Sequence, residues 1–321
     1  MATIKEVAKY AGVSVATVSR ELNKSGYVKE ETRKKIKEAI TALNYSPNET
    51  ARTLFKRKSK MIGLLLPDIS NPFFTVVARG VEDEAMAKGY HIILGNGDGN
   101  EEKEFAYLNT FNVHNCSGII ASQLSTKEAF DSFEAYHMPF VLLDRVYANH
   151  EFVETDHMKG GKLQAEAVIK GAAQSVLILE QNLFYKSFNE RFVSAKETLE
   201  AHQINYVTLN EISLTEEQLI QTIKEYEIDS VICSNDVGAF KVMNILHKHH
   251  YHVPNDIQVV GYDDIPLANL YTPSLTTIHQ PAYLIGKKAC QQLINQLEGH
   301  EREHHQILDV SLIERQSTRR A

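Results

Sequence analysis

Residues 3–23 read TIKEVAKYAGVSVATVSRELN, and the helix-making and helix-breaking residues in them decide how the chain begins. Thr3-Ile4-Lys5-Glu6 is a T-x-x-E capping box, which opens a helix by satisfying its first backbone donors. Ile4, Val7, Ala8 and Ala11 then fall on one helical face. Gly12 stands where that helix must stop and turn. Ser14 can cap a second helix, with Val15, Val18 and Leu22 at helical spacing, before Lys24-Ser25-Gly26 breaks it. A third helix runs from Glu30 to about Leu43, with Ile36, Ala39, Ile40 and Leu43 on its buried side. Two short helices joined by a tight glycine turn and braced by a third make a helix-turn-helix unit.

The second helix of such a unit enters the DNA major groove N-terminus first. The side chains placed to reach base edges are Val15, Ala16 and, one turn on, Arg20. Arg20 offers a bidentate contact to guanine, worth roughly 1–3 kcal/mol of discrimination, whereas Val15 and Ala16 offer apolar contact only. Thr3, Ser14, Thr17, Ser19 and Asn23 are short polar groups suited to phosphates. The charge distribution agrees with this placement. Net charge is −7, yet residues 1–60 hold 14 basic and 6 acidic side chains, while the remaining 261 hold 20 and 35. A basic head on an acidic body is the electrostatic footprint of a nucleic-acid-binding module joined to something else.

Beyond the head, 321 residues are too many for one typical core. From Met61 short apolar runs alternate with helical stretches: Ile62–Leu66, Ile92–Leu94, Gly118–Ala121, Phe140–Leu143, Val176–Leu179, Val231–Cys233 and Ile257–Val260. Such runs are strands of parallel sheets covered on both faces. A break near Thr155–Gly161 divides them into two similar α/β subdomains, whose cleft is the natural ligand pocket. Acids, amides and aromatics stand at successive strand ends, at Asp68 and Asn71–Phe74, at Asp144-Arg145, at Asn235-Asp236 and at Tyr262-Asp263-Asp264. That set suits a polyol, although Asp68 and Asp264 serve equally well as helix N-caps.

Several segments resemble the lac/galactose repressor family of bacterial transcriptional regulators. In the head they are Thr3–Ala8, Ala11–Arg20 and Leu43–Asn48; in the body they include Asn71–Phe74, Leu142–Arg145, Arg191-Phe192, Ser234–Asp236, Gly261–Asp264 and Leu275–Pro281. Ala51-Arg52-Thr53-Leu54 is similar to the family's hinge helix, and the resemblance implies that Leu54 wedges into the minor groove. Glu21 departs from the family, which has an apolar residue there; an acid beside DNA needs Arg20 or a nearby lysine to pair with it. The body resembles periplasmic sugar-binding proteins, and the resemblance places the effector on Phe73, Phe74, Asp144, Arg191, Asn235 and Asp263, with Arg191 forking two ligand oxygens. Within the family the hinge, Asn71–Phe74 and Gly261–Ile265 are most similar to repressors of ribose operons, which makes ribose or a ribose derivative the first effector expected.

The expected architecture is an all-α helix-turn-helix head (1–46), a hinge helix and linker (47–60), and an α/β periplasmic-binding-protein-like core (61–321) of two parallel-sheet subdomains. Subdomain one takes about 61–157 and 282–304; subdomain two takes about 158–281 and 305–321, with a last strand from Ile307 to Ile313. Expected partners are double-stranded, palindromic operator DNA, a small sugar or sugar phosphate, and a second copy of the chain, a dimer because no leucine heptad follows Arg319-Arg320-Ala321. A regulator of the same family controlled by a phosphorylated carrier protein is the alternative. No cofactor, metal or membrane is expected. The His247–His252 cluster lies at a helix end, where its imidazoles complement the helix dipole. The N-terminus carries no apolar signal region and the three cysteines form no framework, so the expected compartment is the cytoplasm. A transport protein fits poorly with the basic head, and no nucleophile–base pair points to an enzyme.

Overall fold

A computed structural model of the chain describes residues 2–45, 59–122, 124–126, 138–146 and 150–320. Two compact units divide it, Met1–Ser59 and Lys60–Ala321. Leu54 and the rest of the hinge segment from 46 to 58 lie outside the described residues.

The first unit holds α1 (Ile4–Ala11), α2 (Val15–Asn23) and α3 (Glu30–Ala42). Thr3 and Glu6 form the capping box reciprocally, and Gly12 ends α1 at φ 66°, a left-handed conformation that costs glycine nothing. The end of α2 is tighter than Lys24-Ser25-Gly26 suggested: Lys24 itself takes the left-handed cap at φ 49°. Val7, Ala8, Ala11, Val18, Val28, Ile36 and Ala39 form the buried core of this unit.

The second unit contains two parallel sheets. The first has six strands: β1 (Met61–Leu66), β2 (His91–Asn96), β3 (Gly118–Ala121), β4 (Phe140–Leu143), β5 (Phe152–Thr155) and β11 (His305–Leu308), in the order β11-β5-β4-β3-β1-β2. The second has β6 (Ser175–Glu180), β7 (Asn205–Asn210), β8 (Ser230–Ile232) and β9 (Gln258–Val260), in the order β7-β6-β8-β9. Both are covered on two faces, as their continuous apolar runs require. On β1, Ile62, Leu64 and Leu66 pack with α4 (Pro72–Ala87) and α10 (Ala282–Glu298), while Leu65 turns to Leu108 and Phe111 of α5 (Glu101–Val113). In the second sheet, Val176 and Ile178 meet α6 (His157–Lys170) and α7 (Lys186–Ala201); Leu177 and Leu179 face α8 (Glu216–Glu225) and α9 (Asp236–Lys248).

The chain crosses between the subdomains three times, after β5, between β10 (Thr277–His279) and α10, and between β11 and β12 (Ser311–Ile313). The last crossing corrects the sequence reading, which put one strand from Ile307 to Ile313 and all of 305–321 into subdomain two. Residues 305–308 pair in parallel with β5 on the edge of the first sheet, where the His305 ring stacks on Phe152 at 4.5 Å. Only after Asp309 does the chain reach β12, antiparallel to β10, and then the second subdomain, where Val259 N–H donates to the Ser317 carbonyl. No helix among the described residues is long and apolar enough to cross a membrane.

Candidate functional site

In the head, Val15, Ala16 and Arg20 are exposed on α2, while Val18 between them is buried. The polar groups expected on phosphates are partly occupied with local structure. Thr3 Oγ1 donates to the Glu6 carboxylate at 3.0 Å, and Ser14 Oγ accepts from Thr17 N–H at 3.2 Å while sharing a hydrogen bond with Thr17 Oγ1. Ser19 is half-buried, and the side chain of Asn23 lies outside the described residues. Among the described residues Glu21 is paired with neither Arg20 nor a lysine. Arg33 of α3 reaches it at 3.1 Å, so its charge is spent inside the three-helix unit.

In the second unit the carboxyl ends of β1, β4, β8 and β9 converge. Asn71 caps α4, accepting from Phe73 N–H at 3.0 Å, which sets Phe73 and Phe74 into the first turn. Both rings are buried and meet edge-to-face at 5.1 Å. After β4, Asp144 adopts φ 59° and is buried. Its Oδ1 lies 4.0 Å from Arg191 of α7 in the other subdomain. Arg191 donates through Nη1 to the Ser234 carbonyl at 3.1 Å and through Nε to His157 Nδ1 at 3.2 Å, with the Tyr262 ring 3.7 Å from its guanidinium carbon. Asp263 sits at φ 115°, a conformation side chains rarely adopt, held by its N–H donating to the Ile278 carbonyl and by Gln280 Nε2 donating to its Oδ1 at 2.7 Å. Strain concentrated at a convergent polar site is a mark of function.

Burial shapes the electrostatics. It raises the carboxyl of Asp263 to about 7 against the pull of Arg191, and the charge of Asp144 adds to the rise. It raises Asp144 too, opposed by Arg191 and Arg145. Among the described residues Asp144 Oδ1 and Arg145 Nε, both buried, have no hydrogen-bond partner. A buried acceptor and donor left unpaired cost the desolvation of each, which a ligand hydroxyl between them would offset.

Phe73, Phe74, Asp144, Arg191 and Asp263 thus lie at one convergence. Asn235 stands at the same strand ends, but its Oδ1 is engaged as the N-cap of α9, accepting from Gly238 N–H at 2.8 Å. Asp264 faces away into an ion pair with Arg315 at 2.6 Å and a hydrogen bond with His279 Nδ1 at 2.9 Å, and Asp68 makes a turn with Ser70 N–H; neither caps a helix. Sequence reasoning placed Arg145 only at a strand end, Gln280 only at a crossover and Tyr185 only in a loop beside the pocket, and gave no role to Phe188 or His157. The Arg145 guanidinium lies 4.7 Å from the Tyr185 ring, 5.0 Å from Phe188 and 5.7 Å from Phe74, closing one aromatic cage from both subdomains. Its place directly after a strand was a usable signal; the aromatic Phe184-Tyr185 in the glycine-free loop after β6 was another.

Comparison with known proteins agrees with both units. Residues 3–48 match the bacterial regulatory proteins of the lacI family, and residues 170–318 match the periplasmic binding protein-like domain. The ribose operon repressor of Bacillus subtilis (strain 168) is 41% identical, with 100% of this chain and 99% of that protein covered. The crystal structure of the lac repressor dimer bound to operator and the anti-inducer ONPF superposes with a TM-score of 0.88 at 26% identity, covering 99% of each chain. A LacI family transcriptional regulator from Enterococcus faecium with bound ribose superposes with a TM-score of 0.71 at 25% identity, covering 81% of this chain and 98% of that one. The helix-turn-helix head, the two-sheet core and full-length identity converge, and the chain belongs to the lacI family of bacterial regulatory proteins.

Proposed function

We propose that this chain is a repressor of a ribose-utilisation operon, acting in the cytoplasm as a homodimer on palindromic operator DNA and released from it by ribose or a ribose derivative in the cleft. The observation that carries the effector half is the chemistry of the cleft: two carboxyls, two guanidinium groups and a cage of aromatic rings meet between subdomains, with an unpaired buried acceptor and donor side by side. Carboxylates accept sugar hydroxyls, guanidinium forks bind paired ligand oxygens, and aromatic faces cover the C–H surfaces. The exposed Val15, Ala16 and Arg20 of α2 are assigned to base edges, and Thr3, Ser14, Thr17 and Ser19 to phosphates. Phe73, Phe74, Asp144, Arg145, Arg191 and Asp263 are assigned to the sugar, with Asn235 contributing through the part of its amide not spent on the α9 cap.

Calorimetric titration with D-ribose, followed by operator binding at fixed salt with and without it, tests the reading. Binding of D-ribose with loss of operator affinity is the expected result. Tight operator binding that no sugar or sugar phosphate alters would overturn the sugar gate and favour control by a phosphorylated carrier protein.

A further inference from the structure

His157 is the first residue of α6, two positions past the end of β5 where the chain first crosses between subdomains, and it is completely buried. Its surroundings determine its protonation. Arg191 Nε always carries hydrogen, so Nδ1 of the ring, 3.2 Å away, is the acceptor. The neutral ring then keeps its proton on Nε2, whose neighbour at 3.4 Å is the main-chain carbonyl of Asp144. One imidazole therefore touches α7 of subdomain two on one edge and the loop after β4 of subdomain one on the other.

The neighbouring hydrogen bonds run in consistent directions. Thr155 Oγ1 lies 3.4 Å from His157 Nδ1 but donates to Gln280 Oε1 at 2.6 Å. Gln280 Nε2 in turn donates to Asp263 Oδ1 at 2.7 Å. Thr155 and Gln280 stand on two different crossings, so this buried group joins the hinge to both Arg191 and Asp263.

We propose that His157 is a positioning residue of the effector site, a hinge imidazole that aims the Arg191 guanidinium and ties it to the Asp144 main chain, so that gripping the effector and setting the two subdomains are one event. The proposal rests on the reading of the cleft as the sugar site. Three contacts define the plane of Arg191: His157 Nδ1 takes Nε, the Ser234 carbonyl takes Nη1, and the Tyr262 ring covers the face. That plane directs Nη2 toward Asp144 Oδ1. Without the imidazole acceptor, Nε–H is a buried unpaired donor, and the fork rotates to find another partner. The groups around the ring keep it neutral. Burial and the charges of Arg191 and Lys186, both on α7, hold its pKa well below 6.5, while the Asp144 carbonyl acts in the other direction. The Tyr262 ring, 6.4 Å away, and Thr155 also stand beside it.

The test is a double-mutant cycle in the full chain, read by calorimetry with D-ribose. His157→Leu should raise the D-ribose Kd about tenfold or more, and His157→Asn, whose amide oxygen can accept from Arg191, should return it to within about threefold. In an Arg191→Met background, His157→Leu should change the Kd by less than about twofold, because its action passes through Arg191. An equal loss in both backgrounds, or no loss in either, overturns the proposal and leaves His157 a packing residue. A second measurement needs no sugar. Long-range proton–nitrogen spectra of the imidazole should show the Nε2–H tautomer from pH 8 down to 5, and a changed ring in Arg191→Met. A ring protonated on Nδ1, or one titrating near pH 6.5, rejects the hold on Arg191 whatever the effector. The expected tautomer in a protein that ignores D-ribose supports that hold and places the fault in the choice of sugar.

Discussion

At the level of single residues, Asp263 joins structure to ligand chemistry most directly. Its carboxyl is raised to about 7, first by burial and then by the charge of Asp144, so near neutral pH the free protein divides between its protonated and ionised forms. A carboxylate that accepts sugar hydroxyls is needed ionised, so binding pulls the proton off. Affinity for D-ribose should therefore rise with pH, by about tenfold between pH 6 and pH 8 if only the ionised form binds well. Calorimetry at the two pH values checks this, and Asp263→Asn should flatten the dependence. Folding follows the opposite course. A carboxyl whose pKa is raised on folding contributes stability that is complete below its unfolded value near 4 and is lost as pH climbs through about 7. A rise from acid to neutral pH thus weakens the empty protein at this residue, while the proposed sugar contact predicts a stronger hold on D-ribose. Its neighbour Asp264, left out of the effector set by the resemblance, has partners that sequence spacing does not show. The two acids are adjacent, yet one turns into the cleft and the other into a pair with Arg315 and His279, partners 51 and 15 positions away.

Among elements, the crossing of α4 and α10 makes the sharpest demand on sequence. At Gly80 an added Cβ would overlap the Tyr283 carbonyl, and at Gly286 it would overlap the Val77 carbonyl, both main-chain atoms that cannot swing aside. The two helices cover one face of the first sheet, where Val77, Val81, Ile285 and Ala289 are fully buried, so they separate only by opening that core. Gly286→Ala should therefore destabilise the second unit by about 1–3 kcal/mol despite the better helix propensity of alanine. Scanning calorimetry would show this as a fall of several degrees in the melting of that unit, and an unchanged or raised melting temperature would mean that the crossing has slack. Elements of this kind were legible wherever their signals are local. The capping box at Thr3–Glu6, the glycine at 12 and the apolar runs of β1, β3, β6 and β8 announced themselves in a few consecutive residues. What was not legible depended on distant pairing. The run 305–308 is a plausible strand in either subdomain, and only the free edge of β5 decides between them. Arg145 acquires meaning from rings of the other subdomain, and His157 from a guanidinium group 34 positions away, which no short window of sequence contains.

For the whole molecule, the groups assigned to operator and to effector lie on separate units. The exposed face of α2 lies within Met1–Ser59, and the cleft acids and guanidinium groups lie within Lys60–Ala321, so the two proposed sets share no residue. Charge divides in the same way, with the excess of lysine and arginine in residues 1–60 and the excess of acid in the rest. The unit that approaches DNA is thus the basic one, and affinity for operator must depend steeply on salt through its phosphate contacts. Any influence of the sugar is then a coupling free energy between two binding equilibria, and such a coupling is reciprocal. In a dimer with two clefts and one operator, if saturating D-ribose weakens operator binding by some factor, saturating operator must weaken the two D-ribose binding steps by factors whose product is the same. Both constants have to be measured at one ionic strength, since salt moves the operator constant alone by orders of magnitude. Agreement would show that operator and sugar are linked through these binding equilibria alone. A product smaller than the effect of D-ribose on operator binding would show a further linked equilibrium, such as sugar-dependent dissociation of the dimer.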